Sequence, residues 1–592
     1  MKPITNQQIA KVLKEISLLL EMQDVEFKPR AYEKAGLTIE SLDKSIVEIY
    51  KQGGIKAIEK IPGIGLSIAQ KIEELIQTGD LKYYKDLKKQ VPVNLEELTQ
   101  IEGLGPKSIK KLYQKLNIKN LADLEKAVRA GKIKQLEGFG EKSEQKILKA
   151  IEFAKKSKGR FLLGQIMPLA REIEKRLKSL PEVMAVMLCG SIRRRKETIG
   201  DIDILLTVKK EGSLKAKNDI LKIMDFFVKM PEVEYVYAQG ETKSAVRILP
   251  GIDVDLRIVP QKSYGAALNY FTGSKDHNIA LRQIAIKKGY KLNEYGLFNK
   301  KGKQIAGQTE EELYQILGMD YIPPEMRENL GEIELAEKHQ IPKLIEYNDL
   351  LGDLQVQTNW TDGSNSIEEM AKAALKSGLK YIAITDHTKH LAMTGGLDEK
   401  KIQKQWQEID KINSKLKKQN LNFQILKGTE CDILIDGSLD LPDKILEKLD
   451  VVGVAIHSNF NLSKEEQTKR IIRAISNPNV DILFHPTCRI IQKREGISAD
   501  WDKIIQVAKQ TGTILEIDAY PDRLDFNDEL IRKCILAGVK MSIDSDAHNI
   551  NHFNVLEYGI GQARRGWAKR EDIINAWPLE KMLKFLKDNK KK

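Results

Sequence analysis

The stretch Val186-Met-Leu-Cys-Gly-Ser-Ile-Arg-Arg-Arg-Lys-Glu-Thr-Ile-Gly-Asp-Ile-Asp-Ile-Leu-Leu206 carries the pattern around which the chain is organised. An apolar run ends at Gly190-Ser191, a basic loop follows, and a second apolar run carries Asp201 and Asp203. Residues two apart in a strand point to the same side, so both carboxylates would face one site. The stretch therefore predicts a glycine-serine turn beside a strand that carries an acidic pair.

A third acid, Asp255, lies in the later strand-like run Ile252-Asp-Val-Asp-Leu-Arg-Ile-Val259. Close carboxylates repel one another unless a cation lies between them, and their hard oxygens suit Mg²⁺ or Mn²⁺. Three of them on neighbouring strands can hold two metal ions about 4 Å apart, which supports in-line phosphoryl transfer. Gly190-Ser191, with Arg193 and Arg194, supplies backbone donors and positive charge for a triphosphate. The alternative is an acidic strand end on a solvated surface, which the arginines and the third acid disfavour.

Length and composition indicate a multidomain globular protein. At about 150 residues per domain, 592 residues predict about four domains. No stretch approaches the roughly 20 apolar residues of a membrane span, and the N-terminus lacks a signal-peptide hydrophobic region. We therefore expect a cytoplasmic protein that does not bind membranes.

Charge and cysteine content narrow the range of partners. The net charge of +13 favours an anionic partner, and nucleic acid is the commonest one. The cysteines at positions 189, 431, 488 and 534 have neither metal-ligand spacing nor the pattern of a disulfide framework.

Residues 1 to about 155 are predicted to be helical, and one short pattern recurs in them. Each copy has two glycines separated by one apolar residue and followed by a helix; the glycines are Gly63, Gly65, Gly103, Gly105, Gly138 and Gly140. Glycine permits a positive φ and the close approach of a phosphate, which the N–H groups of the next helix attract. Such helix-hairpin-helix units bind the DNA backbone without reading bases. The alternative is a packing corner, and the third copy fits that role best.

Lys71 lies on the helix that follows the first hairpin, six residues after Gly65. A lysine beside a bound phosphate can attack a sugar aldehyde and form a Schiff base. More commonly, such a lysine only contacts phosphate.

From about residue 160 to 320 the pattern becomes α/β, and further motifs follow the acidic pair. These are Tyr270-Phe-Thr-Gly-Ser274, then Asn278 and Arg282, then Gly289-Tyr-Lys-Leu-Asn-Glu-Tyr-Gly296. Together with Gly-Ser, nine residues and Asp-x-Asp, they make the chain resemble the DNA polymerase X family, in its bacterial and archaeal form with a C-terminal PHP domain. The resemblance covers almost the whole chain.

The resemblance implies a role for each matching residue. The metal ligands would be Asp201, Asp203 and Asp255. Residues that bind the nucleotide would be Ser191 and Arg194 at the triphosphate, Tyr270 and Phe271 facing the sugar, Asn278 at the base edge and Arg282 near the template strand, together with Gly190 and Gly273. Lys71 falls where DNA polymerase beta carries its deoxyribose-phosphate lyase lysine, and Tyr32 also matches a lyase-domain position.

The last part of the chain alternates short apolar strands with helices, and polar clusters end the strands. Ligands at the C-terminal ends of successive parallel strands are typical of a β/α barrel with a metal site. The set suits Zn²⁺, Mn²⁺ or Fe, and its members are Asp362, His387, Glu430, His457, His485, Asp546 and His548. This part resembles the PHP phosphoesterase, which in the family can remove 3′ nucleotides.

One departure from the PHP pattern affects that expectation. The family motif opens with His-x-His, and this chain has Gln355 and Gln357 at the two positions. A neutral amide is a weak ligand, whereas imidazole binds these metals tightly. We therefore expect a partial site with Mn²⁺ or Zn²⁺ and a 3′-5′ exonuclease that is absent or severely weakened.

The combined prediction is a monomeric, multidomain α and α/β enzyme that fills short gaps in DNA, with gapped or primed DNA and dNTPs as partners. The predicted domains are a helical DNA-binding and lyase-like domain at 1–85, fingers with helix-hairpin-helix motifs at 86–160, a nucleotidyltransferase palm at 161–262, a thumb at 263–322, a linker at 323–350 and a PHP barrel at 351–592. Two alternatives stay open. One is a PHP phosphoesterase whose polymerase half only positions DNA, and the other is a non-catalytic scaffold for DNA ends.

Overall fold

The structure is a computed structural model that describes residues 4, 6–40, 42, 44–99, 101, 104–156, 159–209 and 214–589. It divides into two compact units. The first unit comprises Met1–Lys158 with Ile490–Glu495, and the second comprises Gly159–Arg489 with Gly496–Lys592.

The first unit is helical, as predicted. Its helices are α1 (Asn6–Met22), α2 (Lys28–Glu40), α3 (Ile46–Glu59), α4 (Leu66–Thr78), α5 (Lys82–Gln90), α6 (Leu95–Leu98), α7 (Pro106–Leu116), α8 (Leu121–Arg129) and α9 (Glu141–Lys156). Apolar residues at helical spacing form its core: in α1, Ile9, Leu13, Ile16 and Leu20 are all buried. Pro106 occupies the first position of α7, where its missing N–H costs no hydrogen bond.

The described glycines of the three repeats lie in turns between consecutive helices. Gly63 and Gly138 both have a φ of +83°, which a residue with a Cβ adopts only at a cost. Gly65 and Gly105 are the extended residues directly before α4 and α7. Gly103 lies outside the described residues. The described parts of all three repeats therefore have the predicted turn-then-helix form.

The first part of the second unit contains a two-stranded sheet, formed by β1 and β3, and the five-stranded sheet of the palm. Its elements up to residue 337 are β1 (Phe161–Leu162), α10 (Leu163–Lys178), β2 (Val183–Leu188), α11 (Gly190–Arg193), β3 (Thr198–Ile199), β4 (Asp201–Val208), α12 (Leu214–Val228), β5 (Val233–Gln239), β6 (Lys243–Ile248), β7 (Ile252–Ile258), α13 (Tyr264–Thr272), α14 (Lys275–Lys287), β8 (Lys291–Asn293), β9 (Gly296–Phe298), β10 (Gln304–Ala306), α15 (Glu310–Ile316) and α16 (Glu332–Glu337).

The order of strands in the palm sheet brings the predicted acids together. The order is β2-β4-β7-β6-β5, and β4 runs parallel to β7. In their register, Asp203 lies opposite Asp255. Alternate residues of β7 are buried, and Asp255 belongs to the partly exposed set. The period-two pattern thus gives the sheet one buried face and places the acids on the other.

Two segments differ from the sequence-based expectation. The turn at Gly190-Ser191 is a single helical turn, α11. The stretch 323–350, expected to be a linker, is packed: Arg327 and Glu332 in it are fully buried. Glu332 pairs with the buried His277 of the thumb at 2.8 Å. The charged residues of this polar segment are of the same types as those of a solvated linker. The sequence pattern therefore did not predict that the segment is packed.

The remaining elements form a barrel. They are β11 (Gly352–Val356), α17 (Ile367–Lys376), β12 (Tyr381–Ile384), α18 (Glu399–Lys418), β13 (Gln424–Asp432), α19 (Asp443–Leu446), β14 (Val451–Ala455), α20 (Lys464–Ile475), β15 (Ile482–Leu483), α21 (Trp501–Thr511), β16 (Ile514–Asp518), α22 (Asp528–Ala537), β17 (Met541–Asp544), α23 (Leu556–Arg565) and α24 (Leu579–Asn589).

The seven strands of this sheet are paired in parallel and in chain order, from β11 to β17. A parallel bridge between Val356 and Ala547 links the first strand to the chain after the last one, which nearly closes the sheet. Strands such as β11, β14 and β16 are buried at every residue, as expected when side chains fill one face and helices cover the other. The predicted β/α barrel is therefore present.

Candidate active site

The palm carries a cleft of about 590 Å³ in which most of the predicted site residues meet. Its lining contains Gly190, Ser191, Arg194, Asp201, Asp203, Tyr270, Phe271, Gly273, Asn278 and Arg282, together with Arg160, Lys196, Thr272 and Lys275. Five cationic side chains thus surround two carboxylates. Such a lining suits a polyanion that binds together with divalent cations.

Asp203 is the most strongly perturbed acid of the cleft. Burial, together with the negative charges of Asp201 and Asp255, raises the pKa of Asp203 to about 7, although Arg257 and Lys243 oppose the shift. A carboxylate that is held beside two others without full compensation favours a cation. The donor chemistry of the three acids therefore fits divalent metal ions.

Asp255 has a partner that the sequence pattern did not predict. The ammonium of Lys243, on β6, lies 2.6 Å from Oδ2 of Asp255. Among the described residues, the groups of three or more ligands whose atoms lie within 4.8 Å of one another are in the barrel, and the three palm acids do not form one. Register brings Asp255 beside Asp203, but its carboxylate is turned to Lys243.

Gly190 allows the turn before the basic loop to lie against Asp203. Its φ is +62°, and a Cβ at this position would lie 2.7 Å from Oδ2 of Asp203. Arg193, expected at the triphosphate, is instead tied to the thumb, where its Nη2 lies 2.6 Å from Glu310. Burial raises the pKa of Glu310, but Arg327 and Arg193 outweigh it and lower the pKa to about 2.

Arg194 is held on two sides at the edge of the cleft. Its Nε donates to Glu328 at 3.1 Å, and its Nη1 donates to the carbonyl of Thr272. Gly273 has a φ of +71°, and a Cβ there would lie 3.0 Å from Nη1 of Arg194. The guanidinium is therefore preorganised rather than free to move.

The aromatic and amide residues of the cleft support one another. The rings of Tyr270 and Phe271 pack edge to face at a centroid distance of 5.2 Å, and Arg257 lies 4.6 Å from the centroid of Phe271. The side chain of Asn278 donates to the carbonyl of Tyr270 at 2.7 Å, and Nε of Arg282 donates to the carbonyl of Asn278 at 3.2 Å.

In the first unit, Lys71 lies on α4 as predicted, between two tyrosine rings. Its Nζ lies 5.9 Å from the ring centroid of Tyr32 and 5.0 Å from that of Tyr83, and the two rings stack at 6.4 Å. Burial lowers the pKa of Lys71. The negative charge of Glu74 opposes this shift, and the positive charge of Lys28 adds to it. Burial also raises the pKa of Tyr32 to about 12.

The barrel brings five of the seven predicted metal ligands into two overlapping groups: Asp362, His387 and His548 in one, and His387, Glu430 and His457 in the other. His485 lies beside them, with its Nε2 2.8 Å from Glu430. Asp546 accepts from Nδ1 of His548 through its carbonyl at 2.7 Å. This donor set fits a transition-metal ion at its centre.

The two glutamines are buried in the same barrel. Nε2 of Gln357 donates to Oε2 of Glu430 at 2.7 Å. Both amide atoms of Gln355 are buried and have no hydrogen-bond partner among the described residues. Burial lowers the pKa of His457, but the adjacent Asp432 and Glu430 outweigh it and raise the pKa to about 9. The amide of Gln357 and the imidazoles of His457 and His485 therefore contact Glu430, and no imidazole is present at the two positions of the His-x-His pattern.

This fold and this cleft define the class of the protein. A helical unit with glycine hairpins, a palm sheet with paired acids and a cationic cleft, and a parallel barrel with a His/Asp/Glu set are together typical of a nucleotidyltransferase with an attached parallel barrel.

Family models match the chain in five places. They are a helix-hairpin-helix domain at 4–81, a SAM-like tandem helix-hairpin-helix at 95–152, the DNA polymerase beta palm at 165–239, the DNA polymerase beta thumb at 267–328 and the PHP domain at 353–542. The chain is 37% identical to the DNA polymerase/3′-5′ exonuclease PolX of Bacillus subtilis (strain 168), over 98% of this chain and 99% of the relative. The chain belongs to the DNA polymerase X family and is a DNA-directed DNA polymerase with a C-terminal PHP domain.

More distant relatives each match one part of the chain. DNA polymerase lambda of Rattus norvegicus is 26% identical over 55% of this chain and 56% of its own length. A probable phosphatase of Thermoanaerobacter sp. (strain X514) is 30% identical over 38% of this chain and 90% of its own length. Among the described residues, no helix has both the length and the apolar composition needed to cross a bilayer.

Proposed function

We propose that the chain fills short gaps in DNA by two-metal nucleotidyl transfer, with dNTPs as substrates and Mg²⁺ or Mn²⁺ as the palm cofactor. The observation that carries this proposal is the parallel register of Asp203 with Asp255 beside the cationic cleft. Asp201, Asp203 and Asp255 would hold the ions. When bound, these ions lower the pKa of the primer 3′-hydroxyl and stabilise the leaving pyrophosphate.

The protein groups orient the substrates for this reaction. Ser191 and Arg194 bind the triphosphate, Tyr270 and Phe271 pack against the sugar, and Asn278 meets the base edge. Asp255 takes the proton of the 3′-hydroxyl, whose oxygen forms a bond to the α-phosphorus while the bond to the bridging oxygen breaks. For Asp255 to bind a shared ion, its carboxylate must exchange the contact with Lys243 for that ion.

Extension of a primer at a one-nucleotide gap tests this proposal. Asp203→Ala is expected to lower incorporation by about 10³-fold or more, because it removes one of the three carboxylates that would hold the ions, and to leave DNA binding within about twofold. Asp253→Ala is the matched control, since Asp253 lies on the strand β7 that also carries Asp255 and pairs with Arg247 at 2.8 Å. Incorporation that survives Asp203→Ala would overturn the palm assignment.

A second activity, 5′-deoxyribose-phosphate lyase, is favoured by the surroundings of Lys71. A neutral amine attacks the C1′ aldehyde of an abasic sugar, water leaves, and the resulting imine permits β-elimination of the phosphate. The lowered pKa of Lys71 increases its neutral fraction at a given pH. Borohydride should trap a covalent adduct with a 5′-deoxyribose-phosphate end, and Lys71→Arg should abolish it. An adduct of equal yield in that variant would contradict the assignment.

We further propose that the barrel is a weak 3′-5′ exonuclease or none, with a partial site for Mn²⁺ or Zn²⁺. The support is the contact between Gln357 and Glu430 and the buried amide of Gln355. The primer assay without dNTPs measures this directly. If the protein degrades a 3′ end in Mn²⁺ as fast as it extends one, the proposal is wrong.

A further inference from the structure

The basic loop, residues 193–197, is held by charged partners at every position. The pairs are Arg193 with Glu310 at 2.6 Å, Arg194 with Glu328 at 3.1 Å, Arg195 with Glu557 at 3.6 Å, Lys196 with Glu328 at 3.5 Å, and Glu197 with Arg489 at 2.7 Å. Two of these partners, Glu557 and Arg489, belong to the barrel. The loop that carries Arg194 is therefore fixed by the PHP barrel as well as by the thumb.

Arg565, the last residue of α23, reaches the loop most directly. Its Nη1 donates to the carbonyl of Arg194 at 2.9 Å and to Oε1 of Glu328 at 2.9 Å, and its Nη2 pairs with Asp528. The side chain of Arg565 is only 2% exposed. A guanidinium can be buried when acceptors satisfy its N–H donors. The acceptors of Arg565 are the carbonyl of Arg194 and the carboxylates of Glu328 and Asp528.

Glu328 is the carboxylate that links the two arginines. Burial raises the pKa of Glu328, but Arg565, Arg194 and Lys196 together outweigh it and lower the pKa. The carboxylate is therefore ionised, and it is shared by a barrel residue and the cleft residue Arg194. Three cations face Glu328 and Asp528, which leaves a net positive charge beside the cleft.

We propose that Arg565 is a positioning residue for the incoming nucleotide. It fixes the backbone of Arg194 and shares the negative charge of Glu328, so that the guanidinium of Arg194 stays in place and keeps positive charge for a triphosphate. The inference rests on the proposed role of Arg194 at the triphosphate. It gives the barrel a part in polymerisation that does not require the metal site of the barrel.

Steady-state filling of a one-nucleotide gap by the full chain tests this role. Arg565→Met is expected to raise the KM for the dNTP about tenfold, because a charge-assisted contact and a positive charge are lost beside the cleft. We expect kcat to change less than about threefold and DNA affinity less than about twofold. In the Arg565→Met background, Glu328→Gln should bring the KM back toward the parent value, since a neutral amide holds Arg194 less tightly.

Arg564→Met is the matched control. Arg564 precedes Arg565 on the same helix and is similarly buried, but it pairs with Glu325 at 2.8 Å and donates to the carbonyl of Ile345 at 2.7 Å. This variant should lower the melting temperature about as much as Arg565→Met while the KM for the dNTP stays within about twofold. If Arg565→Met does not fold, Arg565→Lys takes its place and should raise the KM by a smaller factor.

A KM within about twofold of the parent in Arg565→Met, or an equal rise in Arg564→Met, would overturn the inference. The Asp203→Ala assay separates this inference from the proposed function. If Asp203→Ala is inactive while the Arg565 variants keep the parent KM, only the role of Arg565 fails. If Asp203→Ala stays active, the assignment of the palm itself fails.

Discussion

Gly190 lets the turn before the basic loop approach Asp203 more closely than a residue with a side chain could. The φ of Gly190 is +62°. For a residue with a Cβ, this conformation is unfavourable by about 1 kcal/mol or more. A Cβ there would also lie 2.7 Å from the Asp203 carboxylate. Backbone conformation and available space therefore both require glycine where this turn meets Asp203.

Gly190→Ala is expected to reduce kcat/KM for gap filling by about 10²-fold, because displacement of a reacting group by about 1 Å costs that much. Gly251→Ala is the control, since Gly251 has a φ of +105° but no atom lies within 4 Å of the place that its Cβ would take. It isolates the cost of backbone strain and should keep kcat/KM within about threefold. Equal losses in the two variants, measured by single-turnover extension, would show that strain rather than the contact with Asp203 matters.

The environment of Lys71 predicts a pH dependence for the lyase activity. The amine reacts only when neutral, so adduct formation should rise with pH through the pKa of Lys71 and then level off. Burial is the main cause of the lowered pKa. Tyr83→Ala exposes the amine, which moves its pKa back up and shifts the midpoint of borohydride trapping to higher pH.

Tyr84→Ala is the control for this shift. Tyr84 lies on the same helix, but its ring faces Lys88, with the ammonium 4.6 Å from the centroid. We expect its midpoint to match the parent. A midpoint that stays constant or falls in Tyr83→Ala would contradict the role assigned to the two tyrosine rings around Lys71.

The sequence predicted the palm acids better than it predicted their partners. Asp201 and Asp203 are separated by one residue in an apolar run, and this local pattern places them on one face of a strand. Lys243 could not be found in this way, because its contact with Asp255 depends on β6 lying next to β7 in the sheet. Arg193 was expected at the triphosphate, but it pairs with Glu310. This pairing could not be predicted, because Glu310 lies far from Arg193 in the sequence.

Strand β11 and the residue after it carry the departure from the PHP pattern. It is buried at every residue and carries Gln355, and Gln357 follows directly after it, where the PHP pattern has histidines. The strand pattern and the barrel were predictable from sequence, because parallel strands buried on both faces are continuously apolar except for their ligands. The hydrogen bond from Gln357 to Glu430 was not, since it joins two segments that are far apart in sequence.

Restoring both histidines at these positions tests the interpretation. The double variant Gln355→His, Gln357→His should gain bound Mn²⁺ or Zn²⁺ and degrade a 3′ end at least about tenfold faster than the parent, because imidazole binds these ions far better than an amide does. Metal content of the purified protein and 3′ degradation without dNTPs are the two measurements. His457→Ala in the same background should abolish the gain. If the double variant binds no more metal than the parent, the glutamines do not limit the site.

Among the other elements, helix α11 and the segment 323–350 show where local patterns mislead. Gly190-Ser191 was predicted to lie at a turn, and in the structure it begins a single turn of helix. The segment 323–350 is polar and contains prolines, but Glu325 and Arg327 in it are buried by ion pairs with Arg564 and Glu310. Paired charges can be buried, and no local sequence signal distinguishes them from solvated ones.

At the scale of the whole molecule, the chain combines the glycine hairpins, which we propose bind phosphate, in one unit with the proposed nucleotidyl-transfer cleft in the other. A net charge of +13 supports binding to the DNA backbone. Backbone contacts carry no base information, so they suit recognition of a gap by its shape and its phosphates. If both units bind one DNA, a defect in a hairpin should alter the choice of substrate more than the chemistry.

Gly63→Val tests this division of labour. The valine is strained at a φ of +83° and blocks the approach of a phosphate to the first hairpin. We expect the ratio of kcat/KM on a 5′-phosphorylated one-nucleotide gap to that on an open primer-template to fall about five- to tenfold, as one charge-assisted phosphate contact is lost. Activity on the open substrate should change little.

Gly79→Val is the matched control, because Gly79 follows the last residue of α4 with a φ of +72°, and no atom lies within 4 Å of the place that its Cβ would take. It imposes a similar strain and should keep the gap preference. A preference that persists in Gly63→Val, or falls equally in both variants, would show that the hairpin does not select the gap.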